Sequence, residues 1–518
     1  MAQMKTPGVY IVEKNAFPNS VVEVETAVPA FVGYTEHAET NGKTLLNVPT
    51  RITSLAEYHS YFGGAPTPAF SFATTAPAAD ADPQPDFSFK YKEADYFFSQ
   101  TSQKYRLYYS LRLFFQNGGG PCYIVSVGDY DAEITKGMLA GTDSDKPGTG
   151  IEKLVKEMEP TMVVIPDAVS LSYGDCKDVQ TAMIKHCGKM TSRVAVLDVH
   201  DGFKARTFGK TDDVVTNFRS AVGNQSLKYA AAYYPWLNTS IVRENELGIG
   251  NFDKSVADAL KTMLKDELSI ADAEDETPEK ELSDKIDKIG ADTDGLTGEE
   301  AEELNKTLLA LSVGYTTFIE KINEYLNLMP PAAAMAGIYT MVDNARGVWK
   351  APANVALNSV VSPAVNITHD QQEMLNVDLN GKSINAIRSF IGEGVLVWGA
   401  RTLDGNSQDW RYINVRRTMI MLEQSIKAAG KAFVFEPNDA QTWTTVKSMI
   451  ENFLNTQWKK GALVGAVPAD AFSVQVGLGQ TMTGNDILDG IMRVTVLVAI
   501  SRPAEFIEIT FQQQMQKS

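Results

Sequence analysis

The sequence predicts a multidomain α/β chain, α+β overall. Two observations carry this. Between residues 120 and 235, short apolar runs (Cys122–Val127, Met162–Pro166, Val194–Val199 and Ala230–Trp236) alternate with helical segments such as Asp178–Met190 and Asp213–Val222. Strand, loop and helix in repetition make a mostly parallel sheet with helices on its faces. The length of 518 residues, with 44% apolar and 21% charged, is the material of about three or four globular domains.

The first residues read as extended strands between turns: Val9–Val12 follows Pro7-Gly8, and Val21–Val24 follows Pro18-Asn19. Ala27–Tyr34 is a further strand. Pro66 to Asp86, rich in Ala, Pro, Thr and Asp, reads as a surface loop. Tyr105–Gln116 has helical apolar spacing and a stop at Asn117-Gly118-Gly119-Gly120. Residues 251–305 hold 18 acidic and 6 basic side chains, so they carry −12 of the chain's −17. They read as solvated helices inserted into the α/β domain, with helical order resuming over Glu303–Leu328. Further on, Pro331–Met341, Glu423–Ala429 and Trp443–Trp458 read as helical, and Phe472–Gly477 and Arg493–Ile500 as strands. A final strand is expected at Glu505–Phe511.

A net charge of −17 makes the chain a poor non-specific partner for nucleic acid, and no polybasic patch suits an anionic membrane. The longest apolar stretch, Ile491–Ile500, is interrupted by Arg493 and is far below the roughly 20 residues of a membrane span. The start shows no apolar core of signal-peptide length. Cys122, Cys176 and Cys187 are too few for a disulfide framework and suit a reducing compartment.

Gly381-Lys382-Ser383 ends like a phosphate loop, but Asn376 stands where the motif needs glycine, so a turn is expected. Gly477-Leu478-Gly479 lacks the third glycine of a dinucleotide fingerprint. No pair among His37, His59, His186, His200 and His369 has the i, i+4 spacing of a helical zinc site, and no Cys-x-x-Cys occurs. No cofactor is therefore expected. Asp198, His200 and Asp201 sit where an α/β strand ends, a place favoured by active-site residues, yet no Gly-x-Ser-x-Gly elbow accompanies them.

Several long motifs occur in order: Thr6-Pro7-Gly8-Val9-Tyr10-Ile11-Val12-Glu13, Ala27–Gly33, Ala336-Gly337-Ile338-Tyr339, Asp343–Asn354, Val397–Leu403, Tyr412–Arg417, Phe435–Asp439 and Arg502–Ile507. Over roughly residues 1–35 and 330–515 the chain resembles the contractile tail sheath proteins of phage tails, tailocins and phage-like contractile injection systems. The resemblance implies a subtilisin-like three-layer α/β middle domain without protease activity, an α+β C-terminal sheath domain, and extended terminal strand arms. It implies this division: arm 1–26, N-terminal region 27–119 with the loop 66–86, α/β domain 120–350 carrying the insertion 251–305, C-terminal core 351–504 and arm 505–518. The insertion is not mapped onto the family pattern and is assigned to the outer surface.

The resemblance further implies a structural subunit, not an enzyme. It polymerises in many copies around an inner tube and contracts from a metastable state without nucleotide hydrolysis. Its other partners are baseplate and terminal cap proteins, with no nucleic acid and no direct membrane insertion. Assembly is expected in the bacterial cytoplasm, before the subunit joins a virion, a released particle or an envelope-anchored machine. Copies would be stitched by strand addition through Val9, Tyr10, Ile11 and Val12 at one end and Phe506, Ile507, Glu508, Ile509, Thr510 and Phe511 at the other; read without the resemblance, both are equally well edge strands of their own domain. Lys447, Lys459 and Lys460 are candidates for a weak grip on the tube, although helix-terminal lysines also complement the dipole. Asp343, Arg346, Gly347, Trp349, Pro352, Trp398 and Arg401 are expected to be structural. The alternatives are a serine-type hydrolase and a surface-assembly protein.

Overall fold

A computed structural model describes residues 21–78, 83–142, 148–208, 210, 212–270, 277–291, 295–376 and 381–509. Its largest feature is a nine-stranded sheet. From edge to edge it runs Val355–Ala356, Gly394–Val397, Asn385–Phe390, Ala230–Tyr234, Val194–Asp198, Met162–Val164, Pro29–Gly33, Cys122–Ser126 and Thr50–Ile52. The strands from Asn385–Phe390 to Cys122–Ser126 are mutually parallel. Antiparallel strands close both edges. The expected α/β layer is therefore present, and its central strands are apolar throughout because both faces are covered.

Helices follow their sequence signals. Ser172 caps Tyr173–Met190 by accepting from the Asp175 N–H, and Asp213 caps Val214–Ala221 by accepting from Thr216. The expected helix at 105–116 is Leu107–Gln116.

The Pro66–Asp86 expectation is corrected in part: Phe70–Ala73 is a strand of a three-stranded sheet with Ala94–Gln100 and Phe87–Tyr91. Aromatic burial drives it. The Phe318 ring of helix Val313–Leu326 lies 5.4 Å from Phe72, 4.9 Å from Tyr96 and 5.2 Å from Phe98. The acidic stretch does form helices, Ala257–Leu268, Pro278–Asp287 and Gly298–Leu311. They are less solvated than expected, since Leu260, Leu264, Ile286, Leu304 and Leu308 are buried beneath the charged faces. The helix expected over Glu303–Leu328 is broken at Ser312, whose extended backbone ends one helix and whose Oγ accepts from Tyr315 N to start the next.

The chain divides into two compact units. The larger holds Thr26–Arg346 and Ala351–Ile413, the smaller Met1–Glu25, Gly347–Lys350 and Asn414–Ser518. The boundaries expected at 120 and 351 do not separate them: strands from either side of residue 120 share one sheet, and 351–413 belongs with the larger unit.

Candidate functional site

The carboxyl ends of the parallel strands are where an α/β enzyme would carry chemistry. Here they hold caps. Asp167, just after Met162–Val164, is fully buried; its Oδ1 accepts from Arg106 N (2.6 Å) and Leu107 N (3.1 Å), opening helix Leu107–Gln116, and Oδ2 accepts from Tyr34 N (2.9 Å). Burial outweighs these bonds and pushes its carboxyl up to about 6. Asp198 does the same for helix Ala332–Arg346, accepting from Ala332 N at 2.7 Å. Burial pushes it up to about 7.

The hydrolase alternative fails on these bonds. Asp198 faces a helix N-terminus, His200 Nε2 donates to the Leu171 carbonyl (2.9 Å), and Asp201 pairs with Lys204 (2.6 Å). Lys382 of the phosphate-loop remnant is buried and spends its ammonium on the Arg219 carbonyl (2.5 Å). All three thiols are buried, and burial pushes Cys187 up to about 12. Among the described residues no group of three or more His, Cys, Asp or Glu could hold a metal, and no helix is long and apolar enough to cross a membrane.

Raising the Asp198 carboxyl has a consequence for stability. The folded state keeps its proton where the unfolded chain, near 3.8, has lost it. Stability from this group is therefore complete below pH 4 and is lost as pH rises through 7. Asp198→Asn keeps an oxygen for Ala332 but cannot ionise. Its melting temperature should fall less between pH 5 and 8 than that of the wild type; equal slopes in calorimetry would refute the assignment.

The smaller unit holds the sequence-expected binding residues. Helices Ile413–Gly430 and Ala440–Lys460 enclose a core of Met421, Leu422, Val446, Met449, Ile450, Phe453 and Leu454. Asp439 caps the second helix and Gly461, at φ +91°, ends it. Strands Phe472–Val476 and Val494–Val498 form an antiparallel pair against that core. Val494, Val496 and Val498 face inward, while Leu497 is exposed on the other face. No other strand among the described residues joins this sheet, so both outer edges are open.

Beyond it, Leu463 and Ile500 form a single antiparallel bridge, and Ser501 N donates to Ala462 O (3.1 Å). The expected strand Glu505–Phe511 is corrected: Glu505–Ile509 forms no strand, and Thr510 and Phe511 lie outside the described residues. A strand needs a neighbouring strand for its N–H and C=O groups, and no described strand lies against Phe506–Ile509. Phe506, Ile507 and Ile509 are 76%, 79% and 70% exposed, and Glu508 is exposed between them.

Val9, Tyr10, Ile11 and Val12 also lie outside the described residues. Val21–Val24, expected as a strand, is instead an irregular segment laid on the two helices. Side chains satisfy it: Val24 N donates to Ser425 Oγ (3.1 Å), and Glu23 accepts from Gln457 Nε2 (3.1 Å) and Lys460 Nζ (2.7 Å). Lys460 is thus the clasp of the N-terminal segment, and Lys447 pairs with Glu451 (3.8 Å). Lys459 is exposed and has no ion pair among the described residues.

The Asp343–Asn354 block splits between the units. Asp343 is buried in helix Ala332–Arg346 and Arg346 is exposed at its end. Gly347 takes φ +91°, and a Cβ there would run into the Trp349 ring. Val348 and Trp349 join the core of the smaller unit, where Asn414 Nδ2 donates to Trp349 O (2.8 Å). Pro352 is buried in the larger unit. There too, the Trp398 ring lies tilted against Phe390 with centroids 4.5 Å apart, and buried Arg401 donates from Nη1 to Asn376 O (2.9 Å). Sequence reasoning missed Asp167 and Glu23; the Pro166-Asp167 pair at a strand end was the available signal for the first, and nothing local marked the second.

The geometry defines a multidomain α/β protein whose strand-end polar groups hold its helices. Residues 286–403 match the phage tail sheath protein central domain and residues 406–514 the phage tail sheath C-terminal domain. The tail sheath protein of Salmonella phage ViI is 27% identical over 155 residues, 29% of this chain and 24% of its own length. That of Enterobacteria phage T4 is 24% identical over 151 residues, 29% of this chain and 23% of its own. The matched part of the chain thus spans about a quarter of these relatives. Among solved structures, the sheath complex of PVC, an extracellular contractile injection system, in its contracted state has a TM-score of 0.59 at 26% identity, covering 99% of both chains. The contracted helical sheath of the anti-feeding prophage gives 0.57 at 28%, covering 98% of this chain and 99% of that one. The chain is thus similar to contractile tail sheath proteins, by family models over its central and C-terminal parts and by fold along nearly its whole length.

Proposed function

We propose that the chain is the structural subunit of a contractile sheath, polymerising around an inner tube and contracting from a metastable extended state to drive the tube through a target envelope. The observation that carries this is the exposed apolar terminal segment Phe506–Ile509 beside a two-stranded sheet with open edges, in a fold shared along nearly its whole length with sheath subunits. Such a segment is a donor strand, and an open edge is its acceptor. Copies are joined through Phe506–Phe511 and through Val9–Val12. About four backbone bonds at roughly 0.5–1.5 kcal/mol each give on the order of 2–6 kcal/mol per joint before side-chain burial. The work of contraction then comes from the larger interfaces that subunits form with one another in the contracted lattice. The subunit is assembled in the bacterial cytoplasm, and its further partners are the tube, a baseplate and a terminal cap.

Electron microscopy of the purified protein with its tube should show hollow striated cylinders of two lengths; only dispersed monomers would sink the reading. Of the three lysines, Lys459 is the one left for the tube, since Lys460 holds Glu23 and Lys447 holds Glu451. Lys459→Gln should weaken sheath–tube co-sedimentation at moderate salt by a few-fold, and unchanged co-sedimentation would remove it from the contact.

A further inference from the structure

The chain's −17 is unevenly spread, and one face runs against it. Residues 152–158 and the last turns of helix Tyr173–Met190 are tied together by buried Arg193, which donates from Nη1 to Leu154 O (3.0 Å) and from Nη2 to Glu157 O. Around this tie stand Lys153 and Lys156 on the first segment and Lys185 and Lys189 on the second. Lys153 is half-buried and the other three are exposed. None of the four makes an ion pair among the described residues. With Arg193 they set five cations against two carboxylates, Glu152 and Glu157, over 152–158 and 185–193. Val155 and Met158 are 39% and 62% exposed among them. Exposed apolar groups rimmed by polar ones mark an interaction surface. Unpaired charge of one sign selects a partner of the other.

The complementary charge is carried by the chain itself. In the 251–305 insertion, Lys261, Lys265, Lys280, Lys285 and Lys288 each already hold a carboxylate of the same insertion. The acidic surplus is left on its surface. Glu279 and Glu281 on helix Pro278–Asp287, and Glu299 and Glu302 on helix Gly298–Leu311, are exposed and make no ion pair among the described residues. Four unpaired lysines and four unpaired glutamates thus lie on separate elements of one chain and form no ion pair with one another. Two different faces that complement each other make a head-to-tail contact, and its repetition builds a ring or an open helix. A second copy is the occupant that these charges specify.

We infer that the face formed by Lys153, Lys156, Lys185 and Lys189 docks the acidic helices Pro278–Asp287 and Gly298–Leu311 of a second copy of this chain. This rests on the sheath reading for the presence of a second copy. It is a contact between folded surfaces, separate from the terminal segments. It also makes assembly sensitive to ionic strength, since exposed charges are screened beyond roughly 10 Å at about 0.1 M salt.

Lys156→Glu, Lys185→Glu and Lys189→Glu together reverse one face. Glu279→Lys, Glu281→Lys and Glu302→Lys together reverse the other. All six side chains are exposed, so each triple variant should melt within a few degrees of the wild type. At about 0.1 M salt the polymer recovered by sedimentation should fall roughly tenfold or more in either variant. A chain carrying all six changes restores opposite signs and should recover polymer to within about twofold of the wild type. Wild-type yield from either triple variant would overturn the inference. So would a loss that the six changes together do not restore, which would give the lysines to a different acidic partner.

A second measurement needs no variant. Wild-type chains labelled with heavy nitrogen are mixed with unlabelled chains and treated with a carbodiimide, which joins a lysine to a carboxylate in contact with it. Mass spectrometry should find a mixed-label link from Lys156, Lys185 or Lys189 to Glu279, Glu281, Glu299 or Glu302. Its absence overturns the assignment even where polymer forms. If the wild type forms no polymer, the sheath reading fails, while the mixed-label link still decides the contact in solution.

Discussion

Replacing Phe506, Ile507 and Ile509 together by serine is expected to abolish cylinder formation and leave the subunit's melting temperature unchanged. The side chains are 76%, 79% and 70% exposed, so the isolated molecule loses almost no burial with them. Surface changes of that kind are usually within about 0.5 kcal/mol. On the donor-strand proposal the same groups become buried in a neighbour's sheet. Ile507 and Ile509 stand on one face of an extended strand and Phe506 on the other. Each such burial is worth roughly 1.5–3 kcal/mol, so the triple change removes on the order of 5–9 kcal/mol from each joint. An assembly of many joints does not survive that. Sedimentation and electron microscopy report the loss, and calorimetry reports the intact subunit. Normal cylinders from the triple variant would end the donor-strand account.

Gly33→Ala should have the largest effect on the fold itself. Gly33 ends the strand Pro29–Gly33 at the point where the chain order of the parallel strands reverses. A methyl group there would run into Asp167 Oδ2 and come within 3.0 Å of Leu107 Cβ. Overpacking a rigid site costs about 1–3 kcal/mol. Moving the Asp167 carboxylate also deprives Tyr34, Arg106 and Leu107 of their acceptor, at roughly 1–3 kcal/mol for a buried group left unpaired. The sum is on the order of 3 kcal/mol or more. A chemical-denaturation midpoint equal to the wild type's would show that the carboxylate is not fixed as described.

The α/β layer was legible because its strands are buried on both faces and read as unbroken apolar runs. Val194–Asp198 and Ala230–Tyr234 lie within a residue or two of their expected bounds. Helix starts were legible where a cap precedes an apolar stripe, as at Asp213. What escaped depends on distant partners. Phe70–Ala73 sits in a Pro- and Ala-rich stretch, and only the Phe318 cluster makes it a strand. The Glu505–Phe511 alternation is a strand pattern, yet its described part, Glu505–Ile509, joins no strand, because a strand pattern needs a sheet edge beside it. Lys460 looked available because Glu23, its partner, lies 437 positions away. The open edges beside the terminal segment could not be read from composition at all.

Gly347–Lys350 carries one more consequence. After Arg346 the chain leaves the larger unit, lends four residues to the smaller one and returns at Ala351. The smaller unit is therefore not a contiguous module. A fragment beginning at Asn414 would lack Val348 and Trp349 and would bare the apolar socket they fill. Recombination at a single crossover cannot transplant this unit intact, so exchange between related chains is confined to breakpoints that carry the short detour along with the C-terminal third.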